Sequence, residues 1–250
     1  MSDGDGYPMR IPRIHFPNLL ASGCLVSLPD GAAKHVARVL RLKPGAELVL
    51  FNGEGGEYTA VLEQVARDAV TVRVGAFNPL ECESPLAVVL VQGISRAERM
   101  DYTIQKAVEL GVTRIVPVFA ARSVVELHGE RLQRRLQHWQ DVAIGACEQC
   151  GRNHVPAIDT AVELGYWLRR PGPETLRLVL NHRATGSLGA LTRPTALTLL
   201  IGPEGGLEDG EIAQAERAGF IGMRLGPRVL RTETAAVTAL AALQTLWGDF

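Results

Sequence analysis

Leu197-Thr198-Leu199-Leu200-Ile201-Gly202-Pro203-Glu204-Gly205-Gly206 is an apolar run that stops abruptly in a glycine-proline turn. Met223-Arg224-Leu225-Gly226-Pro227-Arg228-Val229-Leu230-Arg231-Thr232-Glu233-Thr234-Ala235 repeats the device nearer the C-terminus. In each, glycine stands where a strand ends and a helical pattern is about to begin, which is where open α/β sheets hold ligands. Glycine has no Cβ, so backbone amides and carbonyls can close on a small molecule, and proline pre-sets the turn. Either turn alone reads as an ordinary strand-to-helix connection. The pair, with Arg231-Thr232-Glu233-Thr234 attached to the second, points to one ligand gripped by several loops.

The flanking sequence keeps the same alternation. Strand-like runs at 86–91, 114–119, 176–180, 197–201 and 222–225 are interleaved with helical patterns at 99–110, 130–148, 209–218 and 234–246. The first of these strands is continuously apolar, as in parallel sheets buried on both faces, and Gly111 fits a helix C-cap. This order predicts a mostly parallel α/β sheet covered by helices over residues 85–250. Upstream the texture differs. Runs at 47–51, 57–62 and 69–74 are short and β-like, with 52–56 as a hairpin loop. Val36, Val39, Leu40 and Leu42 suggest a short helix over 32–42. A small β-barrel with one helix is expected over 9–80, then a proline-marked linker, with 1–8 as a flexible extension.

Composition narrows the function classes. A formal charge of −1 gives no global attraction to nucleic acid, so any such binding needs a local patch. Four unevenly spaced cysteines make no disulfide framework in a chain of 250 residues, which favours a reduced, cytosolic compartment. The acidic, glycine-rich start is no signal peptide, and the longest apolar stretch is too short to span a bilayer. A soluble protein with no membrane partner is expected. Gln92-Gly93-Ile94-Ser95-Arg96 lacks the dinucleotide-binding glycine pattern, and no P-loop occurs. Cys147 and Cys150 lack a second ligand pair nearby, so helix packing is the reading and no metal is expected.

Basic residues gather near the start: Arg10, Arg13, Lys34, Arg38, Arg41 and Lys43, opposed only by Asp30. On a helix, Lys34, Arg38 and Arg41 share a face. A solvated face is the usual fate of such spacing; placed before a small barrel it suits RNA phosphates, which position a substrate without specifying it. Gln149, Arg152, Asn153 and His154 are further candidates for contact with RNA or a partner subunit.

The segments GPEGGL and LGPRVLRTETA resemble the signatures of the bacterial 16S ribosomal RNA uridine-N3 methyltransferase family, within the knotted SPOUT methyltransferases. Met9-Arg10-Ile11-Pro12-Arg13 is similar to the family's start, Tyr102-Thr103-Ile104-Gln105-Lys106-Ala107-Val108-Glu109-Leu110-Gly111 to its central helix, and Ala146-Cys147-Glu148-Gln149-Cys150-Gly151-Arg152-Asn153 to a further segment. The resemblance implies a PUA-like domain followed by a knotted α/β domain. It implies S-adenosyl-L-methionine as cofactor, held by Leu180-Asn181-His182, by the turn Ile201, Gly202, Pro203, Gly205 and Gly206, and by the segment carrying Leu225, Gly226, Leu230, Thr234 and Ala235. It also implies 16S ribosomal RNA of the small subunit as substrate, and a homodimer whose site borrows Gln149 or Arg152 from the neighbour. The apolar C-terminal helix offers material for that interface.

Methylation at uridine N3 requires loss of the N3 proton, which leaves negative charge on the ring and its carbonyl oxygens. Arg231 is the candidate to stabilise that charge, and Glu204 and Glu233 are carboxylates beside the cleft. Glu233 equally suits the N-terminus of the last helix, with Thr232 or Thr234 as cap. Which group takes the proton stays open at this level. The alternatives are a ribose 2′-O-methyltransferase on another RNA and a non-catalytic RNA-binding or assembly factor.

Overall fold

The computed structural model describes residues 11–250 except 67, 68, 126, 171, 173 and 174, so the expected extension 1–8 and Arg10 lie outside the described residues. Two compact units emerge. One comprises Met1–Cys82 with Cys147–Val155, the other Glu83–Ala146 with Pro156–Phe250.

The first unit is a mixed five-stranded sheet. Its elements are β1 (Arg13–His15), β2 (Leu25–Ser27), α1 (Asp30–Lys34), β3 (Glu47–Phe51), β4 (Glu57–Val65) and β5 (Val70–Asn78), with strands ordered β1-β3-β4-β5-β2. β1 runs parallel to β3 and every other pairing is antiparallel. Alternation sets the faces: Val70, Val72 and Val74 are buried, and Arg73 between them is exposed. They join Ile14, Leu48, Leu50 and Leu62, with Ala33 and Val36 from the helical segment, in one core.

The helix expected over 32–42 forms differently. α1 starts at Asp30 and widens into a π-type turn, His35–Val39, in which the Leu40 N–H bonds the His35 carbonyl at 2.9 Å. Arg41 then adopts φ 52°, in the left-handed region, and ends the helical path. Arg41 therefore does not continue the helical face of Lys34 and Arg38.

The second unit holds β6 (Ala87–Gly93), α2 (Ala97–Glu109), β7 (Val112–Phe119), most of α3 (Gly129–Cys150), β8 (Ala157–Ile158), β9 (Val162–Glu163), α4 (Leu164–Leu168), β10 (Leu176–Leu180), β11 (Ala196–Ile201), α5 (Asp209–Arg217), β12 (Ile221–Met223) and α6 (Thr232–Trp247). The sheet runs β12-β10-β11-β6-β7-β8, with β9 also on β7, and every pairing is parallel. Val91, Val116, Val118, Val179 and Leu200 pack against Leu164 and Leu168 of α4 and Ala215 of α5. Alternate residues serve the opposite face, where α2 and α6 lie against each other. Helices thus cover both faces, as the alternation of elements predicts.

α2 ends as expected at Gly111, with φ 78°. Its last carbonyls are served from far along the chain: the Gln244 side chain donates to Leu110 O at 2.7 Å and accepts from the Ser84 hydroxyl at 2.7 Å. A Cβ at Gly111 would stand 2.7 Å from Gln244 Nε2, so glycine is needed for the conformation and for this contact. Among the described residues no helix is long and apolar enough to cross a membrane.

Candidate functional site

β11, β10 and β12 lie side by side, so the segments that leave their carboxyl ends converge. They enclose a cleft of about 220 Å³. Leu180, Asn181 and His182 line it after β10, the stretch 201–206 after β11, Leu225 and Leu230 after β12, and Ala235 from α6. Gly226 and Thr234, named with these residues from the sequence, are not part of the lining. Arg122, Arg183, Arg228 and Thr232 are, and the sequence reading did not nominate them for it.

The first glycine-proline turn is clamped. Gly93, at the end of β6, lies against it so closely that a Cβ there would run into Pro203. A Cβ on Gly202 would come within 2.8 Å of Leu207 N, and one on Gly205 within 2.8 Å of Arg122 Cβ. Gly205 is thus demanded by the neighbouring protein segment, not only by a ligand. Gln92 is fully buried, and its amide donates to Thr232 Oγ1 at 3.0 Å and to the Gly93 carbonyl at 3.0 Å. The Thr232 hydroxyl in turn donates to Gly202 O at 2.7 Å. One buried chain of hydrogen bonds therefore joins β6, the turn and the start of α6. Its sequence signal was a lone amide at the end of an otherwise apolar strand. This use of Thr232 replaces its expected part as a helix cap: the N-cap position belongs to Arg231, which makes no side-chain capping bond.

The second turn is open. Gly226, Pro227, Arg228 and Val229 are exposed, Val229 at 77%. Gly226 has φ 69°, and a Cβ there would meet only Arg228 Nη2, at 3.9 Å. Here glycine answers to backbone conformation rather than to packing.

Charge around the cleft is paired in part. Arg122 Nε lies 3.7 Å from Glu208 and its Nη1 donates to Gly205 O at 3.1 Å, while Arg183 binds Asp209 at 2.7 Å. Arg231 is exposed and has no ion pair among the described residues. Glu204 Oε1 accepts the Arg96 backbone N–H at 2.8 Å and faces Arg99 Nη1 at 3.6 Å. Glu233, in the first turn of α6 where a carboxylate complements the helix dipole, faces Arg99 Nε at 3.9 Å. Arg99 thus meets both nominated carboxylates, and nothing in its local sequence marks it.

The arginines expected to bind phosphate divide. Lys34, Arg38 and Arg41 are exposed. Arg13 is not available: it is ion-paired with Glu57, donates to Asn153 Oδ1 at 2.6 Å and to Arg152 O at 3.2 Å, and lies 4.8 Å from the centroid of the Phe51 ring. Its charge is already answered inside the first unit. Arg152 is buried at 4% exposure, so it is not a free side chain for RNA or a neighbouring subunit, whereas Gln149 is exposed. Cys147 is buried and its thiol lies 3.6 Å from the His154 carbonyl.

Residues 82–244 match the family model of the RNA methyltransferase domain, and residues 28–75 that of the RNA methyltransferase PUA domain. Ribosomal RNA small subunit methyltransferase E of Buchnera aphidicola is 34% identical over 242 residues, covering 96% of each chain. A methyltransferase of Legionella pneumophila, solved in complex with the bound cofactor SAM, superposes with a TM-score of 0.94 at 41% identity, over 97% of this chain and all 100% of that one. Ribosomal RNA small subunit methyltransferase E of Neisseria gonorrhoeae, bound to S-adenosyl methionine, gives a TM-score of 0.90 at 40% identity, over 96% of this chain and 100% of its own.

Proposed function

Because the chain belongs to the RNA methyltransferase family, we propose that it methylates 16S ribosomal RNA of the small subunit at uridine N3, with S-adenosyl-L-methionine as methyl donor. The observation that carries the reading is the convergence of three loops on one cleft at the carboxyl ends of β10, β11 and β12, in a chain whose SAM-bound relatives match it nearly end to end. The residues present suit that ligand. The stretch 201–206 lines the cleft with backbone, which suits a neutral adenine edge, and no phosphate cradle is required. When bound, the donor supplies a methyl group on a sulfonium.

The chain's own groups position the acceptor and manage its charge. Arg231, exposed at the head of α6 and free of ion pairs among the described residues, is suited to answer the negative charge that develops on the carbonyl oxygens of the base. Glu204 and Glu233 are the carboxylates closest to that task, both held near Arg99. In the first unit, Lys34, Arg38, Arg41 and Lys43 are exposed and supply phosphate contacts.

A cytoplasmic homodimer completes the proposal. α6 buries Ala236, Ala239, Leu240 and Leu243 within its own unit, while Leu246 stays 48% exposed and offers apolar surface to a second copy. Gln149 remains the residue able to reach a neighbouring site.

The test is calorimetry with S-adenosylmethionine, followed by methyl transfer to small-subunit RNA and digestion to locate the methyl on base or sugar. Cofactor binding at micromolar affinity and a base-linked methyl are expected. No binding at millimolar ligand would leave a non-catalytic RNA-binding factor, and a methyl on ribose would leave the 2′-O-methyltransferase.

A further inference from the structure

Arg99 sits in the first turn of α2, where the Thr103 hydroxyl donates to its carbonyl at 2.8 Å and its own N–H bonds Arg96 O at 3.0 Å. From this fixed base its guanidinium lies near two carboxylates carried by other elements, 3.6 Å from Glu204 and 3.9 Å from Glu233. Both acid side chains are largely covered, at 15% and 16% exposure, and Arg99 is 40% exposed. Each acid presents only one oxygen to the arginine. The other, Oε2 in both, is buried and has no hydrogen-bond partner among the described residues.

That arrangement is costly by itself. A buried acceptor left without a donor is destabilising, and native proteins tolerate few. Two such oxygens, one of them on Glu204 in the lining of the cleft, are a cost that calls for a functional explanation. Without a cation between them the two acids would also repel, since like charges in a poorly solvated setting interact strongly.

We propose that Arg99 is a positioning residue for methyl transfer: it holds Glu204, which lines the cleft, and Glu233 together so that a carboxylate is in place to take the N3 proton of the base to be methylated. The proposal rests on the functional reading above and deepens it. It assigns the alignment of the acids to a residue that arrives from α2, far in sequence from either glycine-proline turn. Arg231 remains free to meet the base from the exposed side, so the two arginines divide the work: one faces the protein's acids and the other faces the substrate.

The full-length wild type, Arg99→Met and Arg99→Lys are compared for cofactor affinity by calorimetry and for steady-state methyl transfer to small-subunit RNA. Arg99→Met should lower kcat by about 100-fold, the low end of what acid–base catalysis contributes, with cofactor Kd changed less than about twofold. Arg99→Lys should recover most of the rate, because the charge is restored at the same place. A kcat for Arg99→Met within about twofold of wild type overturns the proposal. So does a matched fall in kcat and cofactor affinity that lysine does not rescue, since that is the mark of a structural strut. A melting-temperature cycle of Arg99→Met with Glu204→Gln reads the pairing without any substrate. The effect of Arg99→Met should shrink in the Glu204→Gln background, and strictly additive shifts overturn the pairing. If the wild type binds cofactor yet methylates no RNA, the functional reading fails, and this cycle still decides whether Arg99 holds the acids.

Discussion

The two glycine-proline turns look alike in sequence and behave as opposites in structure. The turn after β11 is wedged: Gly93 abuts Pro203, Gly202 abuts Leu207, Gly205 abuts Arg122, and Thr232 and Gln92 fasten it from within. The turn after β12 is exposed from Gly226 to Val229 and held by little besides its own φ angle. The same dipeptide therefore builds one stiff wall and one open arm. Gly-Pro fixes where a chain turns, while the number of neighbours pressing on the turn fixes how firmly it stays turned.

Substitutions can break that contrast. Gly205→Val should have the largest effect, because the added Cβ already has no space beside Arg122, its two methyls crowd the site further, and the neighbouring turn must shift. A loss of about 3 kcal/mol is expected by denaturant unfolding, with cofactor binding lost as well. An unchanged midpoint would show the first turn to be as soft as the second. Thr232→Val removes a donor to Gly202 O and the acceptor for Gln92 in a fully covered site, which should cost about 2 kcal/mol by the same measurement. Gly226→Ala meets no clash and only the left-handed backbone penalty, so about 1 kcal/mol is expected, with a few-fold weaker cofactor binding in calorimetry. Arg231→Ala should leave stability within about 0.5 kcal/mol, yet lower turnover far more than cofactor affinity. Equal losses in turnover and affinity would turn the open arm into a cofactor-holding element and sharpen the contrast differently.

What could be read in advance follows the range of the forces involved. Local ones left a clear imprint: the alternation of β5, the apolar run of β6, the Gly111 stop after α2 and the turns themselves all stand in short windows of sequence. Short elements did not. β8 and β9 are two-residue strands and α4 is five residues long, below the length at which periodicity speaks. Arginine roles were the hardest. Arg13 resembles any other basic residue near the N-terminus until Glu57 and Asn153 are seen to surround it, and Arg99 until Glu204 and Glu233 arrive. A guanidinium's function is set by partners that tertiary structure delivers, and the residue's own neighbourhood carries no trace of them.

The placement of closing contacts has a consequence for the order in which the protein can be made. Arg13 finds its acceptors at Arg152 and Asn153, and the His15 N–H finds Glu148, so the first unit waits for a stretch emerging well after its own sheet. Ser84 and Leu110 in turn wait for Gln244, 160 and 134 residues further on. A ribosome feeding this chain out from its N-terminus releases neither unit in finished form until much later segments follow. A fragment ending at Cys82 would carry Arg13 without its acceptors at 152 and 153, and one ending before Gln244 would leave the Leu110 carbonyl without its side-chain donor. A nascent chain of this protein therefore carries its early elements for a long stretch before the residues that complete their hydrogen bonds emerge.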